Sequence, residues 1–538
     1  MRPVARLFTN GRAAAAVALA AVLVGCGGSG AGGSAGGGGA GTAGGAGTGA
    51  GVAGTGGGAA GTTGAAGSAG GAAGTTGAAG TTGVGGTTGA GGSAGTTGVG
   101  GTTGVSGTTG SAGSGGGGTA GGGRGGAGGG GRGGGAGGTT GVAGTGGSSG
   151  GGGGAGGAGG GAHAADAAYC TQQIMQAATD FARFRTTYTS PTSIPRSAKS
   201  GTARMVNTSD WTSGFPAGSF WLLYERTKDQ AWRTAAESWT AALMSQATRT
   251  DTHDVGFIIN NSFGNGYRLT QNTAYRTVIN TAAGSLASRF DPDVGCTRSW
   301  DFSGNWTFPV IIDNMMNLEL LFRATALGGE ARFAQIGTTH AATTRMNHFR
   351  ADASSYHVVD YNPTTGAVIK KITNQGVADE SAWARGQAWG LYGFTMSYRE
   401  TNDARFLDHA TRIAEFYTKS TRMPADGVPY FDFDAPVRDD VPDYRDASAG
   451  AVAASGLFEL AKYTTGAAAE SYRVFAIKVV RSLSTTGSTG YRAATGTNNQ
   501  FLLMHSVGNY PQNDEIDVAI NYADYYYLEA LGRCADLQ

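Results

Sequence analysis

Cysteine is scarce in this chain, four residues in 538, and none stands in a CxxC or Cys/His spacing that would hold a metal. No metal and no cofactor is expected. GxSxG, HExxH, P-loop and dinucleotide fingerprints are missing from any strand-and-helix context that would give them meaning, so the sequence offers no signal for those catalytic classes. Acidic residues are absent before position 163, and all 37 lie beyond it. Five of the 38 Lys and Arg precede Ala162, which leaves 33 cations against those 37 acids and a net charge of about −4 for the rest. That balance argues against a nucleic-acid surface.

No apolar run is long enough to span a bilayer. The longest, Ala13 to Val24, follows Arg2, Arg6 and Arg12 and leads to Cys26. Residues 1–26 therefore resemble a bacterial lipoprotein signal, with Cys26 as the lipidated residue and a plain secretory signal as the rival. Either reading implies export. The expected location is the cell envelope, with membrane contact only through the lipid anchor; otherwise the protein is secreted.

Large side chains are also lacking from residues 27–162, which are nearly all Gly, Ala, Thr and Ser. Nothing there offsets the entropy of ordering, so a disordered tether is expected. Treated as a flexible coil, it has a root-mean-square reach of roughly 60 to 70 Å. The irregular spacing of its TTG repeats disfavours a fibre.

What remains, residues 163–538, must build the core, and without an internal linker it reads as one domain. Apolar periodicity predicts helices over 166–186, 215–226, 229–248, 254–268, 271–289, 310–327, 329–349, 379–400, 402–421, 446–464, 467–484 and 515–531. The odd members are amphipathic; the even members are small and apolar almost all round. Twelve helices alternating outer and buried describe an all-α fold, an (α/α)6 toroid of six hairpins. Cys170 and Cys534 lie at the two ends of this domain, so a disulfide between them would fasten first helix to last if the fold is circular.

Unusual polar clusters stand at or before the even-numbered helices, around Trp211, Asp254, Asp313, Arg385, Ser448 and Glu515. In an up-down ring these would converge on one mouth. Asp254 and Asp313 are the leading carboxylates, with helix capping as the plain alternative. Asp313 shares a helix face with Asn317 among Ile, Met and Leu, and two polar groups on a buried face need partners. His357 is either a site residue or a loop or core histidine. Trp211, Trp383 and Trp389 suit stacking on a sugar face or plain core, and Arg385 suits a carboxylate ligand or a bridge to Asp379 or Glu380. The Asp446–Ser448 and Asp514–Asp517 clusters read as caps and first-turn acids, or as ligand groups.

The strings WTSGF at Trp211, HDVGF at His253, FPVIIDNMMNLELL at Phe308, SAWARGQAWGLYGF at Ser381, DASAGAVAASGLFEL at Asp446 and NDEIDVAINYADYYYLEAL at Asn513 resemble the unsaturated glucuronyl hydrolases, glycoside hydrolase family 88. The resemblance runs from about Trp211 to Leu531. It implies a substrate ending in a C4=C5 unsaturated uronic acid, such as a polysaccharide lyase leaves, and hydration of that vinyl ether. By position it implies Asp313 as general acid and base and Asp254 as the second essential aspartate. Trp211, His357, Gln375, Trp383, Arg385 and Trp389 would then contact the sugar. A related family acting on unsaturated rhamnogalacturonan fragments has the same toroid. Other readings are a two-carboxylate glycosidase on saturated sugars and a tethered sugar-binding lipoprotein without turnover. An acid at a helix N-terminus should be ionised, so a donor role for Asp313 demands that burial and Asp254 override the dipole.

Overall fold

A computed structural model describes residues 158–301 and 305–537; the signal segment with Cys26 and the tether up to residue 157 lie outside the described residues. Helix α1 (Ala158–Thr187) begins within the last residues assigned to the tether. A hairpin of β1 (Ile194–Lys199) and β2 (Thr202–Val206) leads to α2 (Gly214–Thr227) and α3 (Gln230–Ala242). The next rod is composite: α4 (Val255–Ile259) passes through a π turn, Asn260–Gly264, into α5 (Asn265–Thr270). Then come α6 (Thr273–Ala287), α7 (Asn314–Ala326), α8 (Ala331–Asn347), α9 (Ala384–Thr401) and α10 (Ala404–Lys419). The chain closes with α11 (Ala447–Leu460), α12 (Gly466–Leu483) and α13 (Asn521–Ala535).

Taking α4 and α5 as one rod, the twelve expected helices are present. The inner ring runs α2, α4, α7, α9, α11, α13 and back to α2, with α3, α6, α8, α10, α12 and α1 packed outside. Composition explains the layering. Helix α10 buries one stripe, Phe406, His409, Ala410, Ile413, Ala414 and Tyr417, whereas α11 is buried at every position from Ala447 to Leu460. Each large apolar side chain so enclosed contributes about 1.5–3 kcal/mol. Cys170 of α1 is bonded to Cys534 of α13 across 364 positions, which closes the circle covalently.

Helix starts separate by function. Outer helices α3, α6 and α10 are capped by Asp229, Asn272 and Asp403, whose side chains accept from Ala231, Ala274 and Arg405 N–H groups. Asp446 caps α11 in the same way. Asp254 and Asp313 hold the corresponding positions of α4 and α7 yet make no side-chain cap bond. Capping therefore does not account for them.

Three small antiparallel sheets depart from the purely helical expectation. They are β2-β1-β8, with β8 at Ala519–Ile520; β3 (Phe290–Asp291) with β4 (Cys296–Thr297); and β5-β6-β7. The last comprises β5 (Pro309–Ile311), β6 (Val358–Tyr361) and β7 (Val368–Ile372). Such strands are too short to display period-two alternation, and all of β6 is buried, so its pattern is continuous. Residues 310 and 311, read as the start of a helix, belong to strand β5, and α7 begins at Asn314. Likewise the helix expected from 515 begins at Asn521, because Glu515 and Asp517 take left-handed backbone conformations that an α-helix excludes.

Candidate active site

The starts of the inner rods meet through aromatic and ionic contacts. Trp211, just before α2, packs on Phe257 of α4 at 5.5 Å and on Tyr522 of α13 at 5.1 Å between ring centres. Close approach of the rods is built into the motif glycines. A Cβ on Gly256 would stand 2.5 Å from Oδ1 of Asn317, so only glycine lets α4 settle on α7. Asn317 uses that proximity. Its Oδ1 accepts from the Phe257 N–H at 2.7 Å and its Nδ2 donates to the Asp313 carbonyl at 3.3 Å. One asparagine thus ties the helix that begins after Asp254 to the helix that begins after Asp313.

Asp313 is buried, and its Oδ2 has no hydrogen-bond partner. Burial pushes its carboxyl up to about 7; the Arg385 guanidinium opposes this, the Asp254 charge adds to it, and its own backbone N–H and the Trp389 indole oppose it. The two raising effects that a proton donor requires are both present. A raised value alone does not mark a catalytic acid. Asp524 is also pushed up to about 7 by burial, but its two oxygens accept the Leu502 and Leu503 N–H groups, which makes it structural.

His357 is set against Asp313 by strand pairing, since the Ile312 N–H donates to the His357 carbonyl at 3.0 Å at the end of β5 and β6. Nδ1 of His357 accepts from the Asn374 and Gln375 N–H groups at 3.0 and 3.1 Å. Burial lowers this imidazole to about 3, so it is neutral and its proton is on Nε2. Nε2 lies 3.7 Å from Asp313 Oδ2. His357 is thus a buried histidine whose Nε2 faces the Asp313 carboxyl.

Asp254 is the more open carboxylate. Thr252 donates its hydroxyl to Oδ2 at 2.9 Å, and His253 Nε2 lies 3.3 Å from Oδ1. A cavity of about 300 Å³ is lined by Trp211, Asp254, Asp210, Thr252, His253 and Trp300, among others. Asp313 lies outside that lining, as do His357, Gln375, Trp383, Arg385 and Trp389. A larger cavity, about 580 Å³, lies among the C-terminal halves of the inner rods and holds neither aspartate. Its charges satisfy one another, as in Arg399 to Glu319 at 2.6 Å. The unpaired acid at the other end is the better mark of chemistry than cavity size.

Three expected sugar contacts are placed differently. Trp389 is fully buried between Phe257 and Tyr526, and Trp383 is enclosed between His357, at 4.5 Å, and the Arg385 guanidinium, at 4.6 Å. Neither indole offers a face for stacking; both are wall. Arg385, 1% exposed, pairs with Asp446 at 3.0 Å and not with Asp379 or Glu380. Its Nη1 also donates to the Val507 carbonyl and its Nη2 to Gly508 at 2.8 Å, so both terminal nitrogens are committed. Gln375 is half-buried and donates from Nε2 to the same Gly508 carbonyl at 2.8 Å. The 514–517 acids are not caps: Glu515 binds Arg196, Asp514 binds Arg204 and Asp517 binds His505. The sequence reading missed the bracing role of the Val507–Gly508 backbone, which carries no side-chain signal. It also passed over His253 and Tyr522, whose ring lies 5.2 Å from the Arg385 guanidinium.

An (α/α) ring with an uncapped, buried aspartate pushed up to about 7, within electrostatic reach of a second carboxylate, fits a glycoside hydrolase. The family profile described as Glycosyl Hydrolase Family 88 matches residues 187–429. The chain is 46% identical over 334 residues to the unsaturated glucuronyl hydrolase of Formosa agariphila, covering 62% of this chain and 82% of that one. A crystal structure of an unsaturated glucuronyl hydrolase specific for heparin aligns with a TM-score of 0.65 and 44% identity, over 68% of this chain and 97% of that chain. A variant of another such hydrolase, solved with dGlcA-Glc-Rha-Glc, aligns at 0.63 and 31%, over 67% and 96%. The chain belongs to glycoside hydrolase family 88.

Proposed function

We propose that this enzyme releases a C4=C5 unsaturated uronic acid from the non-reducing end of lyase-generated oligosaccharides by hydrating the vinyl ether. The observation that carries the reading is Asp313: a buried carboxyl held up to about 7, with an unpartnered Oδ2, facing the neutral His357. In the resting enzyme it keeps its proton near neutrality and gives it to C4 of the substrate. C5 becomes oxocarbenium-like, water adds there, and the Asp313 carboxylate takes the proton that the water loses. The C5 hemiketal then opens and the remaining chain leaves as an alcohol.

His357 Nε2–H and the Trp389 indole N–H are both buried beside Asp313, close enough for the indole to favour its anion but without a well-formed hydrogen bond from either. They are placed to stabilise the Asp313 anion at the moment it forms, which is where unspent donors are worth most. Asp254 holds negative charge near the developing cation, and Trp211 offers the one partly open indole of the set. Arg385 acts as a positioning residue through the Val507–Gly508 carbonyls. Export with lipidation at Cys26 belongs to the same proposal, and fatty-acid labelling that persists in Cys26→Ser would remove the anchor.

The test is a panel of unsaturated disaccharides followed by ultraviolet absorbance. Hydration destroys the conjugated double bond, so absorbance must fall as the sugar is released. Release of the terminal sugar with the absorbance intact would instead establish an ordinary glycosidase.

A further inference from the structure

His253 precedes Asp254 and is buried. Its backbone N–H donates to the Ser299 carbonyl at 3.0 Å, and its Nδ1 lies 2.8 Å from the same oxygen. A carbonyl only accepts, so Nδ1 carries a proton and Nε2 is left with its lone pair when the ring is neutral. Nε2 has no hydrogen-bond partner and stands 3.3 Å from Asp254 Oδ1. Two lone-pair atoms, one of them on a carboxylate, repel at that separation unless a proton lies between them. Ser299 is itself fixed to the other aspartate's helix, because its hydroxyl donates to Asn314 Oδ1 at 2.8 Å.

We propose that His253 is a positioning residue that shares one proton with Asp254, fixing that carboxylate and limiting the negative charge it places beside Asp313. Charge on either member of the pair is then balanced. Burial is the largest influence on His253 and lowers it below the ordinary imidazole range; Asp254 and the Ser299 carbonyl favour its protonation, Arg289 opposes it, and His340 and His357 also lie within electrostatic range. With that proton shared, Asp254 keeps part of its negative charge and raises Asp313 less than a bare anion would. His253 thereby helps set the pH at which the donor loses its proton.

This rests on the proposed hydration, and the test separates the two. His253→Asn keeps a donor for the Ser299 carbonyl and removes only the atom facing Asp254. The alkaline limb of its kcat–pH profile is expected to move up by roughly one unit, with KM little changed. A folded variant whose limb coincides with the parent's overturns the proposal. If the variant fails to fold, nitrogen-15 NMR of the parent decides: a protonated or hydrogen-bonded His253 Nε2 near neutrality supports the shared proton, and a free lone pair overturns it. A parent that never consumes the double bond ends the hydration reading, and the NMR arm still judges the pair.

Discussion

His357 Nε2 faces Asp313 Oδ2 at 3.7 Å, with the imidazole's other nitrogen occupied by two backbone N–H groups. The ring is thereby locked as a neutral donor. It offers the carboxyl a proton without competing for one. Replacing His357 by Ala is expected to lower kcat by about 10²-fold, the scale of one lost anion-stabilising donor, with a smaller change in KM. Steady-state kinetics on an unsaturated disaccharide check this; an intact kcat would make the histidine a packing residue.

Asp313→Asn should abolish the loss of ultraviolet absorbance, since an amide has no proton to give, while calorimetry still registers substrate binding. Near-parent turnover would exclude Asp313 as donor.

The same substitution should stabilise the fold. The buried carboxyl holds its proton up to about 7 when folded and to about 3.9 when unfolded. Between those values the unfolded state ionises first, so the parent loses stability as pH rises from about 4 to 7 and levels off above. The advantage of Asp313→Asn should therefore be small at pH 4 and reach a few kcal/mol above pH 7. Thermal melts across that range measure it, and a constant difference would contradict the raised carboxyl.

Activity follows the same proton. The kcat/KM of the parent should fall on the alkaline side of about 7, as Asp313 ionises in the free enzyme. A profile flat to well above that point would assign the donor elsewhere.

Gly256→Ala places a methyl group against Asn317, with its Cβ 2.5 Å from Oδ1. Helices α4 and α7 must separate, carrying Asp254 away from Asp313. A loss of about 1–3 kcal/mol is expected, together with a fall in kcat larger than the melting shift explains. Arg385→Ala leaves Asp446 buried and unpaired, at a cost of about 3–5 kcal/mol. That stability loss, and equal effects on a uronate and its methyl ester, distinguish a braced wall from a carboxylate clamp.

Much of this was legible from residue order. The stripe of α10 and the uniformly small α11 identify outer and inner helices, and alternation of the two types demands a ring. Asp254 and Asp313 stood out as acids before apolar helices, and the glycines of HDVGF and WTSGF as motif members. What residue order leaves open is which acid caps and which reacts. Asp229, Asp403 and Asp446 cap, whereas Asp254 and Asp313, equally placed, do not.

The sequence by itself determined the twelve-rod ring, its buried face and the two candidate aspartates, because periodicity and composition act over a few turns of chain. Tertiary structure alone decided the environment of each side chain. Burial among distant helices raises the Asp313 carboxyl, a three-residue strand brings His357 to it, and the Val507 and Gly508 carbonyls claim Arg385. These effects depend on groups far apart along the chain, and local patterns carry no record of which distant backbone atom will arrive.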